Sequence, residues 1–214
     1  MGYELRGYWR SSSSWRVRIA LHWKGLSFDN VPVHLVADGG RQHSDAHRAV
    51  NPMREVPVLL ADGVPLAQSV AILEYLEEVH PTPPLMPADP IARARVRQLT
   101  ELVNSGIQPI QNLRVMQRLG REFGLEKPQQ VVWSRGWIDF GFEALNTLVG
   151  QYGGRYSVGD TVTFADLCLV PQLYNARRFS VELSAYPHLL AVESRLVGLD
   201  AFVAADPSQQ PDAV

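Results

Sequence analysis

A run of four serines, Ser11 to Ser14, stands between Arg10 and Trp15, directly before a segment with helical periodicity. Val17 and Leu21 share one face of that predicted helix. Unpaired backbone N–H groups and the dipole at a helix N-terminus favour an anion, and a thiolate is such an anion. A serine hydroxyl at this point can donate a hydrogen bond to the anion, or it can serve only as the helix N-cap.

Two later segments carry groups that suit a peptide-like or acidic ligand. Pro57 opens a strand directly after a loop, where a cis Val56-Pro57 bond would turn the preceding backbone toward a ligand. Gln68 and Ser69 stand at a predicted helix start, where an amide, a hydroxyl and free N–H groups suit a carboxylate. In the simpler interpretation, Ser69 is the N-cap of that helix.

The first eighty residues alternate between strand and helix patterns. A strand is predicted from Tyr3, a helix from Trp15 to a stop at Gly25, and a second strand over 28–35. A hairpin with an Asp-Gly turn follows over 57–67, and then a helix. The predicted order is therefore β-α-β, a connecting segment, and β-β-α.

Five prolines between Pro81 and Pro90 interrupt any helix or central strand, so this segment is predicted to be a linker. Beyond it, apolar residues repeat at helical spacing. We therefore expect an α/β domain over 1–80, a linker over 81–90 and an all-helical domain over 91–214. Within the last of these, Thr163 and Asp166 fit a helix-capping arrangement, and Cys168 is expected in the core.

Composition excludes several classes of protein. The 214 residues are 46% hydrophobic and 20% charged, which is typical of a globular protein. One cysteine cannot form an internal disulfide or a thiolate metal cluster, and a net charge of -2 gives no general attraction to nucleic acid. Neither a membrane span nor a signal peptide is apparent. We expect a cytoplasmic protein with no metal, no nucleic-acid partner and no membrane partner.

Taken together, these segments resemble the zeta class of glutathione transferases, the family of the maleylacetoacetate isomerases. The matching stretches are SSSSWRVRIAL at 11–21, NPMREVPVLLADG at 51–63, QSVAILEYLEE at 68–78, GIQPIQNLRV at 106–115 and VGDTVTFADLCLVPQLYNARRF at 158–179. The resemblance covers nearly the whole chain. It implies a thioredoxin-like N-terminal domain, a helical C-terminal domain, glutathione as cofactor and a homodimer.

The resemblance also implies a set of site residues. The glutathione-binding residues would be Ser11, Ser12, Ser13, Ser14, Trp15, Arg16, Gln42, Val56, Pro57, Gln68, Ser69, Gln108, Asn112, Leu113 and Arg114. Ser11, Ser12 and Arg10 would be catalytic. Arg10 and Arg178 are the best candidates for binding the carboxylates of the substrate, and Arg114 and Arg177 are weaker candidates. Ser13 departs from the family pattern, which has cysteine there, so glutathione itself would supply the sulfur.

The activity implied is cis–trans isomerisation of a maleyl diacid, maleylacetoacetate to fumarylacetoacetate in tyrosine and phenylalanine breakdown, by reversible thiolate addition. Maleylpyruvate is the alternative substrate, since the two differ mainly in the group beyond the ketone. A zeta-class transferase that conjugates glutathione to haloacids is a second alternative. A glutathione-binding interaction protein without turnover is a third.

Overall fold

The computed structural model describes residues 2–213. Met1 and Val214, which stand at the ends of the predicted domains 1–80 and 91–214, lie outside the described residues. The chain forms two compact units. The first runs as far as Pro84 and also includes the segment from Gly198 onward, and the second is Leu85–Val197.

The regular elements are as follows. The strands are β1 (Tyr3–Gly7), β2 (Asp29–Pro32), β3 (Val58–Ala61) and β4 (Val64–Ala67). The helices are α1 (Ser12–Trp23), α2 (Asp45–Val50), α3 (Ser69–Val79), α4 (Pro90–Glu101), α5 (Leu113–Phe123), α6 (Lys127–Tyr152), α7 (Phe164–Arg178), α8 (Pro187–Leu196) and α9 (Asp200–Ala205).

The first unit is built on a sheet with the strand order β2-β1-β3-β4. β1 pairs in parallel with β2 and antiparallel with β3, and β3 pairs antiparallel with β4 through the predicted hairpin. Leu5 and Leu59 are completely buried in the sheet, as is Val17 on α1. The predicted α/β, thioredoxin-like class of this unit is confirmed.

Three local predictions for this unit need correction. α1 begins at Ser12 rather than at Trp15, because Ser11 is its N-cap. The connecting segment contains α2, capped by Ser44. Ser69 is not the N-cap of α3: Gln68 is, with a left-handed φ of 72°, and Ser69 is the first helical residue. The predicted stop at Gly25 is confirmed, since its φ of 65° favours glycine.

The C-terminal segment also differs from the predicted division. Residues from Gly198 onward were predicted to belong to the helical domain, but they cluster with the first unit. There, α9 packs on α1, and the guanidinium of Arg18 donates to the carbonyl oxygen of Ala205 at 3.1 Å. The division near residue 84 falls within the proline-rich segment.

The second unit contains helices and no described β-strand, and its centre is α7. Phe164, Leu167 and Leu173 on α7 are completely buried, as is Phe142 on α6. The predicted burial of Cys168 is confirmed. None of the described helices is both long and apolar enough to cross a membrane.

The beginning of α7 is the capping box predicted from the sequence. Asp166 accepts hydrogen bonds from the backbone N–H and the hydroxyl of Thr163, at 2.8 and 3.0 Å, and from the backbone N–H of Ser157 at 2.9 Å. Burial raises the pKa of the Asp166 carboxyl, and the hydrogen bonds from Ser157 and Thr163 oppose that rise. Asp166 therefore links the start of α7 to the loop before it.

We predict that Asp166→Ala lowers the free energy of unfolding by about 3 kcal/mol or more, because three buried donors would lose their acceptor. Urea unfolding followed by circular dichroism measures this. Glu78→Ala is the matched control, since Glu78 is an exposed carboxylate on α3 and its loss should change stability by less than about 0.5 kcal/mol. Equal effects of the two substitutions would contradict a structural role for Asp166.

Candidate functional site

Ser11 lies at the junction between the loop after β1 and helix α1. Its backbone is extended, and its Oγ accepts a hydrogen bond from the backbone N–H of Ser14 at 3.3 Å. Its own N–H donates to the carbonyl oxygen of Tyr8 at 3.0 Å. Because Oγ acts as an acceptor in the cap, the hydroxyl hydrogen can still donate to a ligand. The capping and the anion-binding interpretations are therefore compatible.

The residues from Ser11 to Arg16 differ in how deeply their side chains are buried. Ser11 and Ser13 are half-buried, whereas Ser14, Trp15 and Arg16 are buried. The resemblance placed all of them in the glutathione-binding stretch, but the side chains of the last three lie inside the unit. Ser14 Oγ, for example, accepts from the backbone N–H of Tyr8 at 3.4 Å. Ser14, Trp15 and Arg16 therefore belong to the interior of the first unit and not to its surface.

Arg10 precedes Ser11 and is half-buried. Its guanidinium lies over the ring of Trp9, 5.1 Å from the ring centroid, and it forms no ion pair with any residue that the structure describes. A cation stacked on an aromatic ring keeps its charge and its N–H donors. Arg10, the residue before the N-cap Ser11, therefore keeps a positive charge that can interact with an acidic ligand.

The Val56-Pro57 peptide is cis, as the sequence suggested. The carbonyl oxygen of Glu55, just before it, accepts hydrogen bonds from His47 Nε2 and from Asn51 Nδ2, both at 2.9 Å. Helix α2 thereby holds the loop that leads to Val56. Sequence reasoning missed His47 and did not give Asn51 this role, because both act on a backbone carbonyl and neither has a recognisable motif.

Gln68 and Ser69 place a second set of polar groups at the beginning of α3. Gln68 is exposed, and Ser69 Oγ accepts a hydrogen bond from Arg16 Nη1 at 3.2 Å. A buried guanidinium thus adds its charge to the N–H groups at the start of α3, an arrangement that suits a carboxylate. Gln42 contributes another polar group in this unit, since its buried Oε1 accepts no hydrogen bond from the described residues.

The remaining predicted residues belong to the second unit. A π-helical turn over 102–107 ends at Gln108. Asn112 Oδ1 caps α5 by accepting from the N–H of Val115 at 3.1 Å. Leu113 and Arg114 follow at the exposed start of α5. Asn112 therefore has a structural role as the N-cap of α5, and the side chains of Leu113 and Arg114 are exposed.

Arg177 and Arg178 are neighbours on α7 with different surroundings. Both terminal nitrogens of Arg177 donate to Glu193, at 2.6 and 2.5 Å, and this hydrogen bonding raises the pKa of Arg177. Arg178 is exposed and donates to Asn175 Oδ1 at 3.2 Å. Because the guanidinium of Arg177 is already bound by Glu193, Arg178 is the better candidate of the two for binding a substrate carboxylate.

Comparison with known proteins identifies the family of the chain. Residues 10–79 match the glutathione S-transferase N-terminal domain, and residues 141–200 match the glutathione S-transferase C-terminal domain. Maleylacetoacetate isomerase of Rattus norvegicus is 48% identical over 97% of this chain and 94% of its own length.

Two solved structures extend the similarity to the whole fold. A bacterial maleylpyruvate isomerase, described as a zeta-class glutathione S-transferase in its holo form, has a TM-score of 0.95 and 44% identity, over 99% of this chain and all of its own. Maleylacetoacetate isomerase of Anaeromyxobacter dehalogenans, with dicarboxyethyl glutathione and citrate in its active site, has a TM-score of 0.88 and 46% identity, over 100% of this chain and 98% of its own. The chain therefore belongs to the zeta class of glutathione transferases, the family that contains the maleylacetoacetate isomerases.

Proposed function

We propose that this chain is a glutathione-dependent cis–trans isomerase of maleyl diacids and that its substrate is maleylacetoacetate, converted to fumarylacetoacetate. The observation that carries the proposal is the Ser11 hydroxyl at the N-cap of α1, directly after Arg10, whose guanidinium stacks on the ring of Trp9. A hydrogen-bond donor and a cation at one helix N-terminus suit a thiolate and an acidic substrate together. The 48% identity to a maleylacetoacetate isomerase supports the same conclusion.

The residues of the first unit fit glutathione as the cofactor. The buried Arg16 behind Ser69 suits the γ-glutamyl carboxylate, and the backbone of Val56 before the cis proline suits the cysteinyl part of the tripeptide. Gln42 Oε1 adds an acceptor without a described partner. Bound there, glutathione would supply the thiolate for a reversible addition to the double bond of the substrate.

The chain's own groups have two electrostatic tasks. Ser11 donates its hydroxyl hydrogen to the sulfur and, with the free N–H groups at the start of α1, keeps the thiol ionised, although a free thiol titrates near ~8.5. Arg10 stabilises the negative charge that develops on the substrate oxygen. Arg178 and Arg114 bind the carboxylates of the diacid.

Maleylpyruvate is the second candidate substrate, since the similar bacterial structure with a TM-score of 0.95 is a maleylpyruvate isomerase. A haloacid-conjugating transferase remains the alternative chemistry. By analogy with the family we also propose a cytoplasmic homodimer that acts in tyrosine and phenylalanine breakdown.

The first test is an assay of the purified protein with and without glutathione. We expect isomerisation of maleylacetoacetate only when glutathione is present, with the glutathione concentration unchanged at the end, because an isomerase regenerates the thiol. Product isomer and free thiol are measured by chromatography, with maleylpyruvate and a haloacid assayed in parallel. Consumption of glutathione would identify a transferase, and equal turnover without glutathione would refute the proposal.

Ser11→Ala should lower kcat by about 10²–10³, the effect of removing one preorganised donor. Glutathione binding, measured by calorimetry, should change far less. Ser194→Ala is the control: Ser194 is an exposed serine on α8, and its loss should leave kcat within about twofold. If Ser11→Ala and Ser194→Ala behaved alike, Ser11 would not be the activating group.

Arg178→Met should raise KM for the diacid by about 10- to 100-fold through loss of a charge-assisted carboxylate contact, and leave KM for glutathione nearly unchanged. The neighbouring Arg177→Met should have the opposite pattern, because Arg177 is already paired with Glu193: lower stability and an unchanged KM. Steady-state kinetics and urea unfolding separate the two. If Arg178→Met raised KM equally for the diacid and for glutathione, the assignment of Arg178 to carboxylate binding would be contradicted.

A further inference from the structure

The loop from Tyr8 to Ser11, which joins β1 to α1, has its backbone held from two sides. The carbonyl oxygen of Tyr8 accepts from the N–H of Ser11 at 3.0 Å and from Arg18 Nη1 at 3.4 Å. The carbonyl oxygen of Trp9 accepts from Arg18 Nη2 at 2.8 Å. A single buried guanidinium therefore fixes two successive carbonyls directly before Arg10 and Ser11.

The other side of the loop is held by the C-terminal segment. The backbone N–H of Trp9 donates to the carboxylate of Asp212 at 3.0 Å, across 203 positions of sequence. Trp9 thus has its N–H bound by Asp212 and its C=O bound by Arg18. Because a hydrogen bond to a carboxylate is stronger than one between neutral groups, this contact restrains the loop more than an ordinary backbone bond would.

Asp212 is itself placed by a chain of contacts within the first unit. Gln210, which is buried, accepts from Asn30 Nδ2 at 3.0 Å and donates to the carbonyl oxygens of Ala204 and Asp206, at 3.1 and 2.8 Å. Asp206 in turn caps the 3-10 turn over 207–209. The segment after α9 is therefore tied to β2 and α9 before it reaches the loop.

We infer that Asp212 is a positioning residue for catalysis. It restrains the loop from Tyr8 to Ser11, so that Arg10 and Ser11 keep their positions at the N-terminus of α1. This inference rests on the proposed function of Ser11 and Arg10. Asp212 acts through the Trp9 N–H and need not touch glutathione or the substrate. The C-terminal segment is thus part of the catalytic apparatus of the first unit.

The test compares Asp212→Ala and Asp212→Asn with Asp200→Ala in the full-length protein. Asp200 is an exposed carboxylate at the first turn of α9, so its removal makes the same change of charge in the same segment. Three quantities are measured: amide hydrogen exchange over residues 8–14, kinetic constants, and the pH titration of enzyme-bound glutathione by thiolate absorbance.

For Asp212→Ala we expect faster exchange over 8–14, kcat lower by about 10- to 100-fold as for a misplaced catalytic group, and a bound thiol that ionises at higher pH. KM for the diacid should change less than kcat, and Asp212→Asn, which keeps one acceptor oxygen, should lie between the wild type and Asp212→Ala. Asp200→Ala should match the wild type in all three measurements.

Thiol titration and kcat in Asp212→Ala equal to those of Asp200→Ala would overturn the inference. Should Asp212→Ala not fold, Asp212→Asn carries the same comparison. A wild-type protein that fails to isomerise maleyl diacids refutes the proposed function instead. The exchange and thiol-titration data then decide the role of Asp212 separately, and unchanged exchange over 8–14 refutes it.

Discussion

The guanidinium of Arg18 is the constraint on which the first unit depends. Only 1% of this residue is exposed, and its donors bind the carbonyl oxygens of Tyr8, Trp9 and Ala205. Burial lowers the pKa of Arg18 to about 10, while Asp212 and Asp206 oppose that shift, so the group remains a cation at neutral pH. A buried charge is tolerated only when its donors are satisfied. Arg18 therefore requires the end of β1 and the end of α9 to lie beside α1.

The same helix carries a second buried cation with a different task. Arg16 is fully buried, two residues before Arg18, and donates to Ser69 at the start of α3. One guanidinium thus organises the loop before α1, and the other supports a helix N-terminus suited to a carboxylate. Catalysis by preorganised dipoles requires groups that do not reorient during the reaction. Arg18 meets this requirement, because each of its three nitrogens donates to a backbone carbonyl oxygen and any movement would leave those donors without acceptors.

Elements with a local signal could be predicted, and elements that depend on distant contacts could not. The hairpin turn at Asp62 and the capping box at Thr163 and Asp166 follow from residues a few positions apart, so the sequence pattern sufficed. Helix α2 was missed, because six residues give too little periodicity to detect. The segment from Gly198 onward was assigned to the wrong unit, since nothing in its sequence indicates that it packs on α1.

The candidate site divides in the same way. Ser11, the cis Val56-Pro57 bond and the start of α3 lie in short motifs and were found from the sequence. Their support was not: His47 binds a carbonyl eight residues away, and Asp212 binds an N–H 203 positions away. In each of these contacts the partner contributes only a backbone group. The residue type of the partner therefore does not indicate that the contact exists. A reactive group can be predicted from its own residue type. The contacts that fix its position can be identified only from the folded structure, because they join residues that are far apart in the sequence.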